Sequence, residues 1–356
     1  MDNYIGILPT KARSSLRAAG KTLTLGALSL IPSATRLRHI DLSELRYGNV
    51  TVHSYTSGGT GFPVVVLHGL THEGFDDSRL VRFCRILAAA GFCVYAPNLR
   101  GLCTMDPDPT EIDSITALLT TLVKEHKSQI GLMGFSFGGS YALLSSACPE
   151  IAGSVRFVLA VGAYYSLADV VGRVFTMRGK RDLSPEEAYA LLALDWRYRT
   201  MLPLTERETT AAKVLMVRTC SRAMQFTGEE MALVGKIASL PQQEDIYAEW
   251  RNRLRTISRL NIEDNSALES LEASVFLLHS ERDTSIPVEE SSRIATNLAR
   301  LHKNVLSHIG RFGDHVTFSI RNDAGLAHFF YRLMLLTELR DTGIPSRNGR
   351  RGSSAK

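Results

Sequence analysis

A serine inside a glycine-rich hexapeptide is the clearest chemical motif of the chain. The hexapeptide GFSFGG (134–139) contains the pattern G-x-S-x-G, with Ser136 at its centre. An apolar run typical of a buried strand (129–134) leads into it, and a helical pattern (140–148) follows. This motif requires a sharp strand-to-helix turn that holds the serine hydroxyl above a sheet edge, and the glycines keep side chains out of that turn. The alternative is an ordinary β–α turn rich in small residues. Because both flanking elements are predicted, we interpret Ser136 as a nucleophile.

The proton acceptor that such a serine needs is sought among the ten histidines. A serine hydroxyl is a weak nucleophile unless a base takes its proton. His315 follows the predicted strand NVLSHI (304–309) through the loop GRFGD (310–314) and precedes the last predicted helix. Loops at the carboxyl ends of parallel strands carry the functional groups of open α/β sheets. We therefore predict that His315 is the general base.

A carboxylate that could orient this base lies in the segment HSERDTSIP (279–287). Asp283 follows a predicted strand and precedes a predicted helix, and the order Ser, Asp, His along the chain is the one expected for a G-x-S-x-G serine. Glu281 is two residues away and is the alternative. Asp314 is next to His315 and is expected to point elsewhere, because neighbouring loop side chains diverge.

Two backbone amides are predicted to bind the oxyanion that forms when the serine attacks. The first is the N–H of Phe137, which follows the nucleophile. The second is the N–H of Leu70, in the segment LHGLTHEG (67–74) after the strand PVVVLHG (63–69). The alternative for His68 and Gly69 is a turn that only ends the strand.

The elements that must position these residues alternate between short β-rich runs and longer helical patterns. This alternation predicts a mostly parallel sheet with helices on its faces, an α/β fold. Strands are predicted at 49–56, 63–69, 92–98, 129–134, 155–165, 273–280 and 304–309, and helices at 77–91, 111–126, 140–148, 288–302 and about 316–339.

A segment without convincing strands interrupts the alternation at about 166–268. It contains three Ser/Thr-x-x-Glu sequences, beginning at Ser184, Thr205 and Thr227, which is the spacing of the helix capping box. We therefore predict a helical insertion, or cap, at 166–268. The remaining boundaries are a basic and apolar N-terminal segment (1–44), a sheet domain in two pieces (45–165 and 269–339), and a disordered basic tail (340–356).

Together, the His68-Gly69 loop, the Ser136 turn, Asp283 and His315 resemble the serine α/β-hydrolase superfamily, in particular its capped lipase-like and serine-aminopeptidase-like members. The resemblance covers roughly 45–340. Two positions depart from it. Asn98 stands where such proteins often have an aspartate, and Ser280 stands where glycine often opens the acid loop.

The resemblance implies that a carboxylic ester or thioester of a small-molecule acyl substrate is cleaved through an acyl-enzyme, with no metal or organic cofactor. Two alternatives use the same triad: acyl transfer to another acceptor, and cleavage of an amide or C–C bond. A non-catalytic binding module that keeps the fold is a third. A serine at position 136 argues against the related epoxide hydrolases and dehalogenases, which use a carboxylate there.

The net charge and the cysteine content bear on nucleic-acid binding, metal binding and the cellular compartment. The chain has a net charge of +5, of which residues 1–40 hold +5 and residues 340–356 hold +4, so the body between them is at −4. This distribution does not indicate a nucleic-acid groove. The five cysteines are scattered and odd in number, which favours a reducing compartment and no metal site, and we expect a cytoplasmic location.

The N-terminal segment has two interpretations. Four basic residues precede the apolar stretch LTLGALSLI (23–31), an arrangement that loosely resembles a signal peptide. The short apolar core and Pro32 fit that interpretation poorly. An amphipathic helix that packs on the domain, or contacts a membrane surface as a peripheral association, fits better.

Overall fold

The computed structural model describes residues 10–29, 40–58, 61–104, 107–170, 205–208, 211, 227–229, 232–233, 236, 258–263, 266–283, 285–311 and 324–338. Most of the predicted cap, the predicted tail and the capping box at Ser184 lie outside the described residues. His315 and Asp314 also lie outside them.

A single sheet of eight strands forms the centre of the described chain, in the order β1-β2-β4-β3-β5-β6-β7-β8. The antiparallel pairs are β1 with β2 and β2 with β4, and all other neighbours are parallel. The mostly parallel sheet predicted from the sequence is therefore confirmed. The strands are β1 (Asp41–Tyr47), β2 (Val50–Thr56), β3 (Phe62–Leu67), β4 (Phe92–Pro97), β5 (Ile130–Phe135), β6 (Val155–Val161), β7 (Ser274–Ser280) and β8 (Val305–Gly310).

Helices cover both faces of this sheet and divide the core into two layers. One layer is packed by α1 (Thr10–Ser29), α2 (Ser78–Ala89) and α7 (Ala324–Glu338), and the other by α4 (Thr110–His126), α5 (Phe137–Ser146) and α6 (Val288–Arg300). The short helix α3 (Arg100–Cys103) follows β4. The central strands have continuously apolar sequences because helices cover both of their faces. Every residue of β5 is buried.

Strand β1 was not predicted. Its sequence DLSELRY is polar, and all but its last residue are exposed, because it is an edge strand that projects from the core. It pairs with β2 across the two-residue turn Gly48-Asn49, in which Gly48 has a φ of 60°. The predicted border between residues 44 and 45 falls inside this strand.

The N-terminal helix α1 packs against α7 and α2. Ala18 and Leu25 are buried in the core, and the Lys21 ammonium group lies 2.7 Å from the Glu338 carboxylate and over the ring of Phe92. Residues 10–29 therefore adopt the amphipathic helix that packs on the domain. None of the helices described is long and apolar enough to cross a bilayer.

The chain leaves the sheet domain after β6 and returns to it before β7, at the two ends of the predicted cap. The returning segment lies beside the departing one: the Glu263 N–H donates to the Tyr165 carbonyl, and the Leu167 N–H donates to Asn261 Oδ1. Within the segment predicted to form the cap, Thr205 and Glu208 exchange reciprocal hydrogen bonds of 2.8 and 3.3 Å, which confirms the capping box predicted at Thr205.

Candidate active site

The turn between β5 and α5 holds Ser136 in a conformation that non-glycine residues rarely adopt. Its φ is 54° and its ψ is −125°, and its N–H donates to the Val161 carbonyl at 2.7 Å. Side chains are excluded around this turn, because a Cβ at Gly134 would overlap the backbone of Gly138. A strained residue at a tight strand-to-helix turn is the conformation that the G-x-S-x-G motif requires.

The loop after β3 lies directly against this turn. A Cβ at Gly69 would lie 2.9 Å from the Ser136 Cβ, and a Cβ at Gly138 would overlap the His68 carbonyl oxygen. The two segments that carry the predicted oxyanion donors, Leu70 and Phe137, are therefore in contact beside the same serine. Leu70 is half-buried, and the Phe137 ring packs against Tyr164.

The imidazole of His68 connects this loop to the one that follows β4. It is buried, with Nδ1 2.7 Å from the Gly69 carbonyl oxygen and Nε2 3.0 Å from the Leu99 nitrogen. The Leu99 amide is a donor, so Nε2 accepts and Nδ1 carries the proton that is donated to Gly69. Burial lowers the pKa of His68 to about 4, so the ring is neutral near pH 7.

The orientation of the Leu70 N–H follows from this hydrogen bond. The Gly69 carbonyl and the Leu70 N–H belong to one trans peptide group, in which the two point in opposite directions. His68, by holding the carbonyl, therefore fixes the direction of the Leu70 N–H. The sequence indicated a role for this loop but not for the side chain of His68, because the Leu99 contact spans 31 residues.

The loop after β7 places the two candidate acids differently. Asp283 is buried, and its Oδ1 accepts hydrogen bonds from the N–H groups of Ser285 (2.9 Å) and Ile286 (2.8 Å). Glu281 is at the surface, where its carboxylate pairs with Arg311 at 2.8 Å. Of the two, only Asp283 is held inside the protein by its own loop.

The chain that leads toward His315 leaves the sheet beside the acid loop. Strand β8 ends at Gly310, which pairs with Ser280, and the N–H of Glu281 donates to the Gly310 carbonyl at 3.0 Å. His315 follows five residues later, outside the described residues. Its contact with Ser136 and Asp283 stays a prediction.

The sequence of this chain is similar to those of known proteins. Residues 64–319 match the family model described as the alpha/beta hydrolase family. The chain belongs to the alpha/beta hydrolase family. Among curated proteins, a soluble epoxide hydrolase of Corynebacterium sp. (strain C12) is 32% identical over 93 residues, which cover 25% of this chain and 30% of that protein.

Two solved structures are similar to this chain at low sequence identity. The esterase Pf2001 of Pyrococcus furiosus superposes with a TM-score of 0.50 at 16% identity, covering 85% of this chain and 94% of the esterase. An acylaminoacyl peptidase of Pyrococcus horikoshii has a TM-score of 0.46 at 13% identity, covering 83% of this chain and 41% of the peptidase. At 16% identity, the likeness to the esterase describes the fold alone.

In this alpha/beta hydrolase, the two departures from the family pattern have local structural partners. The Asn98 side-chain oxygen accepts a hydrogen bond from the Cys103 thiol at 3.1 Å. The Ser280 hydroxyl accepts one from the Arg282 N–H at 3.1 Å, at the start of the acid loop. Within the described ranges, no group of three or more side chains is arranged to hold a metal ion.

Proposed function

We propose that this alpha/beta hydrolase cleaves a carboxylic ester or thioester of a small-molecule acyl substrate through an acyl-enzyme formed on Ser136. The observation that carries the proposal is the conformation of Ser136. Its positive φ places the residue on a sharp turn between β5 and α5, with Gly69 against it. Such strain persists where the surrounding structure enforces it, and it clusters at functional sites.

The proposed reaction has two halves. The Ser136 Oγ attacks the acyl carbon while His315 takes the hydroxyl proton, and Asp283 orients the imidazolium. The tetrahedral intermediate collapses, the bond to the alcohol or thiol breaks, and His315 gives that leaving group its proton. Water then attacks the acyl-enzyme by the same route, releasing the carboxylic acid and restoring the serine.

The oxyanion of each intermediate is assigned to the N–H groups of Phe137 and Leu70. Phe137 is the first residue of α5, where free backbone N–H groups and the helix dipole favour negative charge. The neutral imidazole of His68 fixes the Leu70 amide through the Gly69 carbonyl. Donors that are already oriented stabilise a developing charge without reorganisation.

The nucleophile separates this proposal from epoxide hydrolysis. An alkyl-enzyme formed on a carboxylate needs an acidic residue at the turn, but the turn here carries Ser136. The buried carboxylate assigned to the proposed triad, that of Asp283, lies on the loop after β7. The partial similarity to the Corynebacterium epoxide hydrolase therefore supports the fold and not that chemistry.

The first test measures hydrolysis of a series of p-nitrophenyl acyl esters and the corresponding acyl thioesters. We expect Ser136→Ala to lower kcat/KM by at least about 10³-fold, because triad nucleophiles contribute on this order. Ser146→Ala is the matched control. Its hydroxyl is buried at the far end of α5, the helix that follows Ser136, and donates to the Leu143 carbonyl, so its loss should leave kcat/KM unchanged. Equal rates for Ser136→Ala and the wild type would reject the mechanism.

A second test asks whether Ser136 is activated at all. A fluorophosphonate probe followed by intact-mass analysis should add one phosphonyl group to the wild type and to Ser146→Ala, and none to Ser136→Ala. A wild type that is folded yet unlabelled would instead indicate a binding module that keeps the fold without the chemistry.

A further inference from the structure

A buried hydrogen-bonded cluster behind Asp283 contains a histidine to which the mechanism above gives no role. His279 is the second-last residue of β7, and its side chain is fully buried. Its Nε2 lies 3.1 Å from Asp283 Oδ2 and 3.0 Å from the Ile286 carbonyl oxygen. Its Nδ1 lies 2.6 Å from the Ser291 hydroxyl, in the first turn of α6.

The partners of His279 determine which of its nitrogens carries the proton. A carbonyl oxygen has no proton to donate, so the contact with Ile286 requires an N–H at Nε2. The same N–H faces the Asp283 carboxylate. Ser291 can donate its hydroxyl proton to Nδ1 or accept one from it, so this contact is compatible with an N–H at Nε2. His279 is therefore a donor to Asp283.

This bond completes the restraint of the Asp283 carboxylate. The Ser285 and Ile286 amides bind Oδ1, and His279 binds Oδ2. The backbone bonds come from the acid loop itself, whereas His279 belongs to the rigid strand before it and contacts α6 after it. Among the described contacts of Asp283, the one with the imidazole connects the carboxylate to both elements that bound the loop.

We infer that His279 is a positioning residue of the proposed triad, which fixes the rotamer of Asp283 by an Nε2–H hydrogen bond and is itself fixed by Ser291. The inference rests on the proposed function. His279 touches neither the substrate nor Ser136 in this scheme, and acts only through the carboxylate. A misplaced Asp283 would leave the imidazolium of His315 poorly stabilised, so the loss should appear in kcat.

The decisive experiment compares two substitutions that each keep half of the ring's hydrogen bonding. The Gln side-chain nitrogen reaches the place of Nε2, and that of Asn the place of Nδ1. His279→Gln therefore keeps a donor to Asp283, and we expect kcat within about fivefold of the wild type. His279→Asn keeps the contact with Ser291 only, and we expect kcat to fall about 10- to 100-fold with KM within about threefold.

A stability control excludes general loosening of α6 as the cause. Leu298 is fully buried in the same helix and has no polar contact with the loop. Leu298→Ala should lower Tm at least as much as His279→Asn while leaving kcat unchanged. Equal losses of kcat in the Gln and Asn variants, a wild-type kcat in His279→Asn, or a change confined to KM would each overturn the inference.

A measurement on the unaltered ring keeps the inference testable if a variant fails to fold. In protein labelled with ¹⁵N-histidine, His279 should show a protonated Nε2, assigned by its absence in His279→Gln or by its contact with Ile286. Asp283→Asn should shift that resonance. A ring that lacks a proton on Nε2, or a resonance indifferent to Asp283→Asn, would refute the hydrogen bond.

The two proposals fail separately. A wild type whose esterase activity requires Ser136 but tolerates His279→Asn would overturn the role of His279 alone. A wild type whose activity is unaffected by Ser136→Ala would overturn the proposed function, while the tautomer of His279 would still report its bond to Asp283.

Discussion

The contact between Gly69 and Ser136 leaves no room for a side chain at the loop after β3. A Cβ there would lie 2.9 Å from the Ser136 Cβ and 3.1 Å from the Phe135 carbonyl oxygen, so the loop must shift. Since Leu70 moves with it, we expect Gly69→Ala to lower kcat/KM for a p-nitrophenyl ester at least about tenfold. Gly20→Ala is the control, because nothing lies within 4 Å of a Cβ at that position. Wild-type kcat/KM in Gly69→Ala would contradict the assigned oxyanion donor.

The buried neutral His68 makes stability depend on pH. Its folded pKa of about 4 lies below its ordinary value of 6.5, so between these values the unfolded chain binds more protons at this residue. The contribution of His68 to the free energy of unfolding is therefore fully present above about pH 6.5 and declines toward pH 4. The difference in pKa corresponds to roughly 3 kcal/mol.

A variant that cannot titrate isolates this contribution. In His68→Gln the amide oxygen can accept the Leu99 N–H, but no proton is gained in acid. Urea unfolding is measured at pH 7, 5.5 and 4. As the pH falls, the unfolding free energy of the wild type should decrease by up to about 3 kcal/mol relative to that of His68→Gln. A difference in unfolding free energy that is the same at all three pH values would show that His68 is not held neutral by burial.

The places of Ser136 and Asp283 in the fold were predictable from their positions in the chain, whereas their catalytic roles stay predictions. Ser136 and Asp283 each follow a strand that the sequence marks by an apolar run, and both lie at the same edge of the observed sheet. The hydrogen bonds of His68 and His279 were not predictable in this way. They join a strand end to a separate loop or helix, and no local spacing encodes such partners.

At the scale of elements, helix α1 contains two leucines, Leu23 and Leu25, that are two residues apart in the sequence and therefore lie on opposite faces of the helix. Leu25 is buried at 5% exposure and Leu23 is 73% exposed. Leu25→Ala should lower the unfolding free energy by about 2–3 kcal/mol, because it removes apolar volume from the core layer that α1 covers. Leu23→Ala should change it by less than about 0.5 kcal/mol. Thermal or urea unfolding of the two variants measures the difference, and equal effects would show that α1 does not dock as described.

The strands and helices that were predicted correctly share a strong apolar pattern. Strands β3, β4, β5 and β7 agree with the sequence within two residues, because their buried faces demand apolar runs. Strand β1 was missed because both of its faces are exposed and its sequence is polar. Strand β6 ends at Val161 and not at 165, since Gly162 turns the chain at a φ of 59°.

At the scale of the whole molecule, one arginine on α6 contacts both segments that connect the sheet domain to the predicted cap: the one that departs after β6 and the one that returns before β7. Arg293 pairs with Asp169 on the departing segment, with Glu263 on the returning segment at 3.2 Å, and with Glu290 on its own helix at 2.9 Å. Its guanidinium also lies 4.7 Å from the centre of the Tyr165 ring. The buried Glu290 carboxylate binds the Tyr165 and Ser166 amides as well.

This cluster differs from the ion pair that Arg259, on the returning segment, forms with Asp113. Arg259 and Asp113 are 48% and 60% exposed, so water screens their attraction and replaces it when it is lost. Removing Arg293 instead leaves a buried carboxylate without its cation, together with two exposed acids of like charge.

We expect Arg293→Met to lower the free energy of unfolding by about 1–2 kcal/mol, and Arg259→Met by less than about 1 kcal/mol. Urea unfolding at 0.05 and 0.5 M salt should show the Arg259 effect vanishing at high salt while most of the Arg293 effect remains. Equal losses of unfolding free energy in the two variants, both abolished at high salt, would mean that Arg293 is an ordinary surface charge and does not hold the two segments together.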